Sequence, residues 1–197
     1  MVQRFIGLVL ATVVLATTIF LGQNYLLASS EERLQPTSDD TDLIAVVYFS
    51  ATDVTANLAK RMGLMLGTVI FEIDPKQAYS REDLAYRDMK SRVNREKNNP
   101  RSRPAIVSEF RLDAYQKILL GYPVWRGISP RIIQTFIETY RLHNKTVYLF
   151  CTSGSSDGIR SFRNLQNIYP KINFIFGKCF NSPPTDQELR DFLQIVK

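Results

Sequence analysis

A short hydroxyl-rich segment, residues 50–55, is the first part of the chain whose side chains could bind a ligand. Its sequence, SATDVT, places hydroxyl groups at Ser50, Thr52 and Thr55 between an apolar run and an amphipathic pattern. Where a strand ends and a helix begins, free backbone N–H groups and the positive end of the helix dipole converge on one point, which favours an anion such as phosphate. Many α/β folds contain this unit without a ligand, so a purely structural turn is an equal alternative.

Two later segments have the composition of ligand-binding loops. Residues 121–127, GYPVWRG, hold the single tryptophan of the chain beside a proline, for which packing and ligand contact are equal alternatives. Residues 151–158, CTSGSSDG, consist mostly of small residues that allow the backbone to approach a flat ligand. The candidate ligand contacts in the two segments are Tyr122, Pro123, Val124, Trp125, Arg126, Ser153, Gly154, Ser155 and Gly158.

The elements that must position these segments alternate between strand and helix. Leu43 to Phe49 are seven apolar residues in a row, which indicates a strand buried on both faces of a parallel sheet. Right-handed crossovers between such strands give an α/β, doubly wound sheet, and ligands bind these sheets outside the carboxyl ends of the strands. Four further strands are predicted at residues 68–73, 117–121, 146–151 and 172–176.

Apolar residues at helical spacing mark the helices between the strands. Residues 80–97 are predicted as a weakly amphipathic polar helix, a later helix starts at Ser129-Pro130, and Thr185 with Glu188 makes a capping box for the last one. The predicted buried stripes are Val54, Leu58, Met62 and Met65; Ile133, Phe136, Ile137 and Tyr140; Ile159, Phe162, Leu165 and Ile168; and Leu189, Phe192, Leu193 and Val196.

Taken together, these segments resemble the flavodoxin-like family. The similarity is greatest to flavodoxins with a first loop of the type S-x-T-G-x-T, a GYPxW segment and a CTSGSS segment. It extends over about residues 42–197. The matching stretches are FSATDVT at 49–55, GYPVW at 121–125 and FCTSGSS at 150–156, with FEIDP at 71–75 and RPAI at 103–106 as further similarities.

The resemblance implies a five-stranded sheet of order 2-1-3-4-5 and a non-covalently bound FMN. It implies that Ser50, Thr52 and Thr55 hold the phosphate and that residues 122–126 and 153–158 flank the isoalloxazine. The expected function is electron transfer, or reduction of a small acceptor such as a quinone, with an unidentified electron donor and acceptor. Carrier flavodoxins are strongly acidic and this domain is not, which favours the small acceptor.

The first loop departs from the family pattern, because Asp53 and Val54 stand where the family has Gly and a small polar residue. Loss of the Gly is expected to remove easy access to positive φ and to close backbone approach. A carboxylate about 4 Å from a phosphate would cost up to ~4 kcal/mol at an effective dielectric of ~20. Asp is also a good helix N-cap and would then turn away from the ligand. The sequence therefore leaves both FMN binding and loss of the flavin open.

Residues 1–28 are interpreted as one N-terminal hydrophobic helix, either a membrane anchor or a signal peptide. Phe5 to Gly22 are 18 uncharged residues, just long enough to cross a bilayer. Arg4 precedes them, which predicts that the domain lies outside the cytoplasm, either on the cell membrane or secreted. Residues 29–41 have the composition of a linker to a domain at 42–197.

The positive net charge of +6 has one main source, residues 87–103, which contain seven basic and two acidic residues. A solvated helix face is the simplest interpretation of such a run. The alternative function for the whole protein is a flavin-free domain that binds a partner or an anionic surface through this stretch. Nucleic acid is not expected, because no aromatic residues are interleaved with the charges.

The remaining nucleophiles and metal ligands are few. Cys151 and Cys179 could pair outside the cytoplasm, but two buried thiols fit the sequence equally well. With a single histidine in the chain, no metal site is expected. Residues 154–158 match the G-x-S-x-G elbow of serine hydrolases, yet His143 precedes Ser156 instead of following it, which argues against that class.

Overall fold

The computed structural model of the protein describes residues 43–196. The predicted anchor or signal peptide at 1–28 and the linker at 29–41 lie outside the described residues. Within residues 43–196, none of the helices has the length and apolar character needed to cross a bilayer.

Five parallel strands form one sheet in the order β2-β1-β3-β4-β5, which confirms the predicted fold and strand order. The three central strands pair in continuous register, with Tyr48 beside Gly121 and Gly121 beside Phe150. Because all strands run in one direction, their carboxyl ends meet at one edge of the sheet. The strands are β1 (Ile44–Tyr48), β2 (Ile70–Glu72), β3 (Lys117–Pro123), β4 (Thr146–Thr152) and β5 (Asn173–Phe180).

Helices cover both faces of the sheet and enclose two apolar cores. One core contains Met62, Phe150 and Leu189, and the other contains Phe136 and Phe162. The capping box of Thr185 and Glu188 is present, as predicted. The helices are α1 (Val54–Leu66), α2 (Arg92–Asn98), α3 (Arg131–Tyr140), α4 (Ile159–Ile168) and α5 (Asp186–Phe192), with 3-10 turns at Leu142–Asn144 and Leu193–Val196.

Strands β3 and β5 extend well past their predicted ends, β4 extends by one residue, and β2 is shorter than the predicted 68–73. Tyr122 and Pro123, expected in a loop, are the end of β3, because β4 continues the ladder beside them through Cys151 and Thr152. Strand β5, expected at 172–176, continues to Phe180 beyond an irregularity in its pairing with β4.

The polar helix predicted at residues 80–97 is wrong over most of its length. Only Arg92–Asn98 is helical, and the preceding residues form turns. The side-chain amide of Asn94 donates to the carbonyl groups of Tyr86 and Asp88, at 3.1 and 2.7 Å, and Ser80 and Asp83 exchange side-chain to backbone bonds. Such bonds give the backbone hydrogen-bond partners outside a helix, which explains why these residues form turns where a helix was predicted.

Three residues of the predicted apolar stripes are exposed: Val54, Ile159 and Ile168. They are the first or last residues of their helices, where the helix extends beyond its core contacts. The helix predicted to start with a proline at its first position begins one residue later, because Pro130 takes the N-cap position.

Replacing Gly121 by Ala should lower the free energy of unfolding by about 1–3 kcal/mol, the usual cost of overpacking. Gly121 lies in the central strand, and a Cβ there would clash with the ring of Phe150. Chemical denaturation measures the change. Gly154→Ala is the matched control, since a Cβ at Gly154 meets no neighbour within 4 Å. Equal stability of the two variants would contradict this packing argument.

Candidate functional site

A cleft of about 680 Å³ opens at the carboxyl ends of β1, β3, β4 and β5. Its volume is typical of small-molecule and cofactor sites, which range from about 300 to 1,000 Å³. The three segments singled out from the sequence all contribute to its wall, through residues 51, 52 and 54, residues 123–125 and residues 152–154. The cleft therefore lies where a doubly wound sheet is expected to bind its ligand.

The first segment brings the N-terminus of α1 to the cleft. The first hydrogen bond of the helix runs from the Asn57 N–H to the Asp53 carbonyl, at 2.9 Å. The N–H groups that precede it have no partner within the helix and are available to an anion. Thr52 lines the cleft, whereas Ser50 is not among the lining residues. Thr55 is buried with its hydroxyl oxygen 2.8 Å from that of Thr152, so its role is to join α1 to the end of β4.

Asp53 keeps the backbone shape that a glycine would have supplied. Its φ is +61°, in the left-handed region, which Asp tolerates better than most residues with a side chain. The expectation that loss of Gly removes access to positive φ is therefore wrong. Asp53 takes the N-cap position of α1, as the sequence suggested, but its side chain makes no cap hydrogen bond. The remaining difference from the family pattern at this position is therefore the exposed carboxylate of Asp53 at the start of α1.

The second segment places Pro123, Val124 and Trp125 on the cleft wall. Trp125 is only 5% exposed, because its ring packs edge-on against Phe49 and Tyr79 with centroids 5.4 and 4.9 Å apart. Packing therefore describes this tryptophan, which also borders the cleft, and its contact with a ligand stays a prediction.

The other two predicted contacts of this segment do not line the cleft. Tyr122 is fully buried, accepts a hydrogen bond from Ser161 at 3.2 Å, and has its phenol pKa raised by burial. Arg126 adopts a φ of +51° and donates to the Tyr86 carbonyl at 2.9 Å. Arg126 therefore fixes the neighbouring turn that carries Tyr86.

The third segment is shaped by its own polar side chains. The Ser153 hydroxyl accepts from the N–H groups of Ser155 and Ser156, at 3.3 and 3.0 Å. The Asn181 amide donates to the Ser153 and Ser156 carbonyls, at 3.0 and 2.9 Å. Ser153 and Gly154 line the cleft, whereas Ser155 does not. These bonds hold one wall of the cleft in place without a ligand.

Gly158 is a structural residue of this segment. Its φ is +79°, and a Cβ at this position would clash with Cys151 and Cys179. These two cysteines are register partners on β4 and β5, with Cα atoms 4.4 Å apart, and they form a disulfide. The pairing decides the alternative that the sequence left open.

Sequence reasoning missed about half of the cleft wall. Helix α1 contributes three residues one and two turns after its start, the turns before α2 contribute two, and the segment after β5 contributes a run of four. The spacing of Asn57 and Arg61 on one helix face, together with two prolines after the last strand, would have been the available signals. The missed residues are these nine together with Phe180 at the end of β5: Asn57, Leu58, Arg61, Leu84, Tyr86, Asn181, Ser182, Pro183 and Pro184.

The basic stretch 87–103 is partly used by the fold. Arg92 pairs with Glu96 at 2.6 Å and lies over the ring of Tyr79, with its guanidinium carbon 3.8 Å from the centroid. Arg103 donates two bonds of 2.8 Å to Glu138 and thereby holds the pKa of that carboxyl below its usual range. The charge available to a partner is therefore smaller than the sequence suggests.

The positions of Ser156 and His143 exclude the serine hydrolase alternative. Ser156 follows the carboxyl end of β4 and His143 precedes its amino end. Seven strand residues at about 3.3 Å each put roughly 20 Å between the two ends.

Comparison with known proteins settles the family. The sequence profile described as flavodoxin matches residues 43–196, which is the whole described domain. The chain belongs to the flavodoxin family. No curated protein matches this flavodoxin.

Solved structures agree with this assignment. A candidate flavoprotein from Bacteroides eggerthii is 38% identical with a TM-score of 0.74, over 78% of this chain and 96% of that one. Another, from Bacteroides uniformis, is 37% identical with a TM-score of 0.73, over 77% and 97%. A flavoprotein from Lactobacillus acidophilus in complex with FMN is 16% identical with a TM-score of 0.61, over 77% and 99%, and shares the fold.

Replacing Trp125 by Ala should lower the free energy of unfolding by about 3–5 kcal/mol, because the change removes a buried ring from an aromatic cluster. Urea denaturation of the ligand-free protein, followed by circular dichroism, measures this. Tyr86→Ala is the comparison, since Tyr86 also lines the cleft but is exposed. A loss below about 1 kcal/mol for Trp125→Ala would show that the ring serves the ligand alone.

Proposed function

We propose that this flavodoxin binds FMN in the cleft and passes electrons between a donor and an acceptor. The observation that carries the proposal is the composition of the cleft, where the N-terminus of α1 and the apolar residues 123–125 meet in about 680 Å³. The helix start suits a phosphate and the apolar wall suits a flat ring. The described residues therefore fit FMN, with the exposed carboxylate of Asp53 as the one unfavourable group.

The fit assigns a part to each segment. Thr52 and the first N–H groups of α1 would hold the phosphate, with Thr55 fixing the helix start through Thr152. Pro123 and Val124, backed by Trp125, would form one wall of the ring site. Ser153 and Gly154 would form the other wall, and their turn leaves backbone groups near the ring.

FMN, when bound, supplies the electron and hydride chemistry, and the protein supplies binding, orientation and a water-poor environment. Trp125, which lines the cleft and packs against Phe49 and Tyr79, would contribute an apolar surface to that environment.

A small acceptor such as a quinone fits this protein better than an acidic carrier role does. The chain has a net charge of +6, whereas a carrier that docks on basic partners needs the opposite sign. The apolar side chains of Leu84 and Tyr86 at the cleft offer contact to a flat apolar acceptor. The N-terminal sequence supports a location outside the cytoplasm, tethered or secreted, and the tethered form would lie near membrane quinones.

Purified full-length protein should bind FMN, measured by quenching of flavin fluorescence and by visible absorbance. Failure of FMN to bind would overturn the proposal and favour the flavin-free domain that binds a partner through residues 87–103.

Asp53→Asn and Asp53→Gly should both tighten FMN by about tenfold. A charge pair near 4 Å is worth between ~1 kcal/mol at the dielectric of water and ~4 kcal/mol at ~20, and the exposed position of Asp53 favours the lower end. The gain should shrink as salt is added. Riboflavin, which lacks the phosphate, is the control ligand and should gain little. If only the Gly variant tightens FMN, backbone shape and not charge is the determinant.

The acceptor is tested with FMN-loaded protein that has been reduced without oxygen. Mixing with a soluble quinone should reoxidise the flavin rapidly, whereas mixing with an oxidised redox protein such as a cytochrome should do so slowly. Flavin absorbance in a stopped-flow instrument follows both reactions. The reverse order of rates would favour the carrier role.

A further inference from the structure

A second depression, of about 490 Å³, adjoins the cleft on its outer side, and we name it the outer depression. Trp125 lines the cleft and Ile128 lines the outer depression. These two residues exchange backbone hydrogen bonds of 2.9 and 3.2 Å. The turn at residues 125–128 therefore lies between the cleft and the outer depression. The other residues that the argument uses from its wall are Asp157, Ile159, Arg160 and Arg163.

Three exposed arginines surround this turn, and we name Arg126, Arg160 and Arg163 the arginine rim. Arg160 packs on the turn, since a Cβ at Gly127 would lie 3.4 Å from its Cδ atom. Arg126 belongs to the turn and donates to the uncharged carbonyl group of Tyr86. Within residues 43–196, no carboxylate oxygen lies within 4.0 Å of the guanidinium nitrogens of these three arginines. Their charges are therefore not neutralised by ion pairs of the same domain.

One carboxylate of the outer depression reduces this charge without cancelling it. Asp157 lines the depression, and its carboxylate accepts a hydrogen bond from the N–H of Ile159 at 3.0 Å. Three guanidinium groups against this one carboxylate leave the rim positive. Exposed charges act over about 10 Å at 0.1 M salt, so the rim attracts an acidic surface before the two surfaces touch.

Exposed apolar side chains accompany the charged ones. Tyr86 lines the cleft and is 41% exposed, and Ile159 lines the outer depression and is 45% exposed. Met89, three residues after Tyr86, is 59% exposed. Aromatic residues, Met and Arg are the residue types that protein interfaces favour, and electron-transfer interfaces are among the smallest. The surface beside the cleft has this composition.

We propose that the arginine rim docks an acidic electron-transfer protein that supplies the electrons for FMN. This rests on the proposed function, because a partner seated on the outer depression lies next to residues 123–125, which that function assigns to the ring wall. A protein is favoured over a small anion because the arginines are exposed and spread over a turn and a helix, whereas small-molecule sites enclose their ligand.

The electron balance fixes how often the partner docks. Reduction of FMN to its hydroquinone takes two electrons and two protons. A one-electron donor must therefore dock twice for each flavin, and the protons come from water. Weak and salt-dependent docking suits such a partner, because the oxidised donor has to leave before the next one arrives.

The first test measures binding of a probe, an acidic [2Fe–2S] ferredoxin in its oxidised state, to full-length FMN-loaded protein by calorimetry. A complex is expected at low salt, and its affinity should fall about tenfold when NaCl rises from about 20 to about 200 mM. A basic cytochrome c should not bind under the same conditions. Preference for the cytochrome, or a ferredoxin affinity that does not change with salt, would overturn the proposal.

Arg160→Glu and Arg163→Glu are the decisive variants. Each should weaken ferredoxin binding by about tenfold, because a charge next to the acidic partner changes sign. FMN affinity should stay the same in both, which also shows that the variants are folded. Arg111→Glu is the matched control, since Arg111 is exposed, lies six residues before β3 and lines neither the cleft nor the outer depression. Equal losses in Arg163→Glu and Arg111→Glu would show that only net charge acts and would overturn the rim.

Electron delivery is followed by mixing FMN-loaded protein with reduced ferredoxin in the absence of oxygen. Flavin absorbance in a stopped-flow instrument should show two ferredoxins consumed per flavin, and the second-order rate constant should fall in the two rim variants but not in Arg111→Glu. If ferredoxin neither binds nor reduces the flavin while a quinone still reoxidises chemically reduced protein, the docking fails and the proposed function stands. If FMN itself does not bind, the proposed function fails and the docking with it.

Discussion

Burial of the sheet on both faces is the constraint on which the rest of this structure depends. The side chains of Ala45, Val46 and Val47 are fully buried although successive residues of a strand point to opposite faces. Helices must therefore cover each face, and every strand must be reached by a crossover. Parallel strands in register then place all carboxyl ends at one edge, so the loops at that edge lie close enough together to share a site.

The tightness of this sheet also limits what the central strands can carry. Gly121 lies between β1 and β4 because the ring of Phe150 occupies the space of a side chain. Close packing of this kind makes the strand ends rigid. A cleft built on them has walls that are already in place before a ligand arrives, which lowers the entropy cost of binding.

Polar side chains of the loops are satisfied largely within the protein. Ser153, Asn181 and the pair of Thr55 and Thr152 all bond to neighbouring loop or strand-end groups. Unpaired buried polar groups are costly, so these hydrogen bonds fix the conformation of the loops that form the site. Charge follows a similar rule, because Arg92 and Arg103 bind carboxylates of the same domain. A basic run in the sequence is therefore not by itself a surface for a partner.

The sequence alone determined the fold and the edge at which the site lies. An apolar run such as residues 43–49 has one stable environment, a strand buried on both faces, and the alternation of such runs with helical stripes leaves few topologies. It also identified the three loops. Their local patterns could not show which side of each loop faces the cleft, and for this reason Tyr122 and Gly158 were placed at the site although they serve the core.

Only the tertiary structure decided the features that depend on residues distant in sequence. The turns before α2 replace a helix because Asn94 bonds their carbonyl groups, and Cys151 meets Cys179 because β4 and β5 are neighbours. Arg61 reaches the cleft because α1 passes the segment that follows β5. Asp53 takes a left-handed backbone because the strand end and the helix start are both fixed by packing. In each case a contact between residues distant in sequence decides the conformation, and the local propensity of the segment does not predict such contacts.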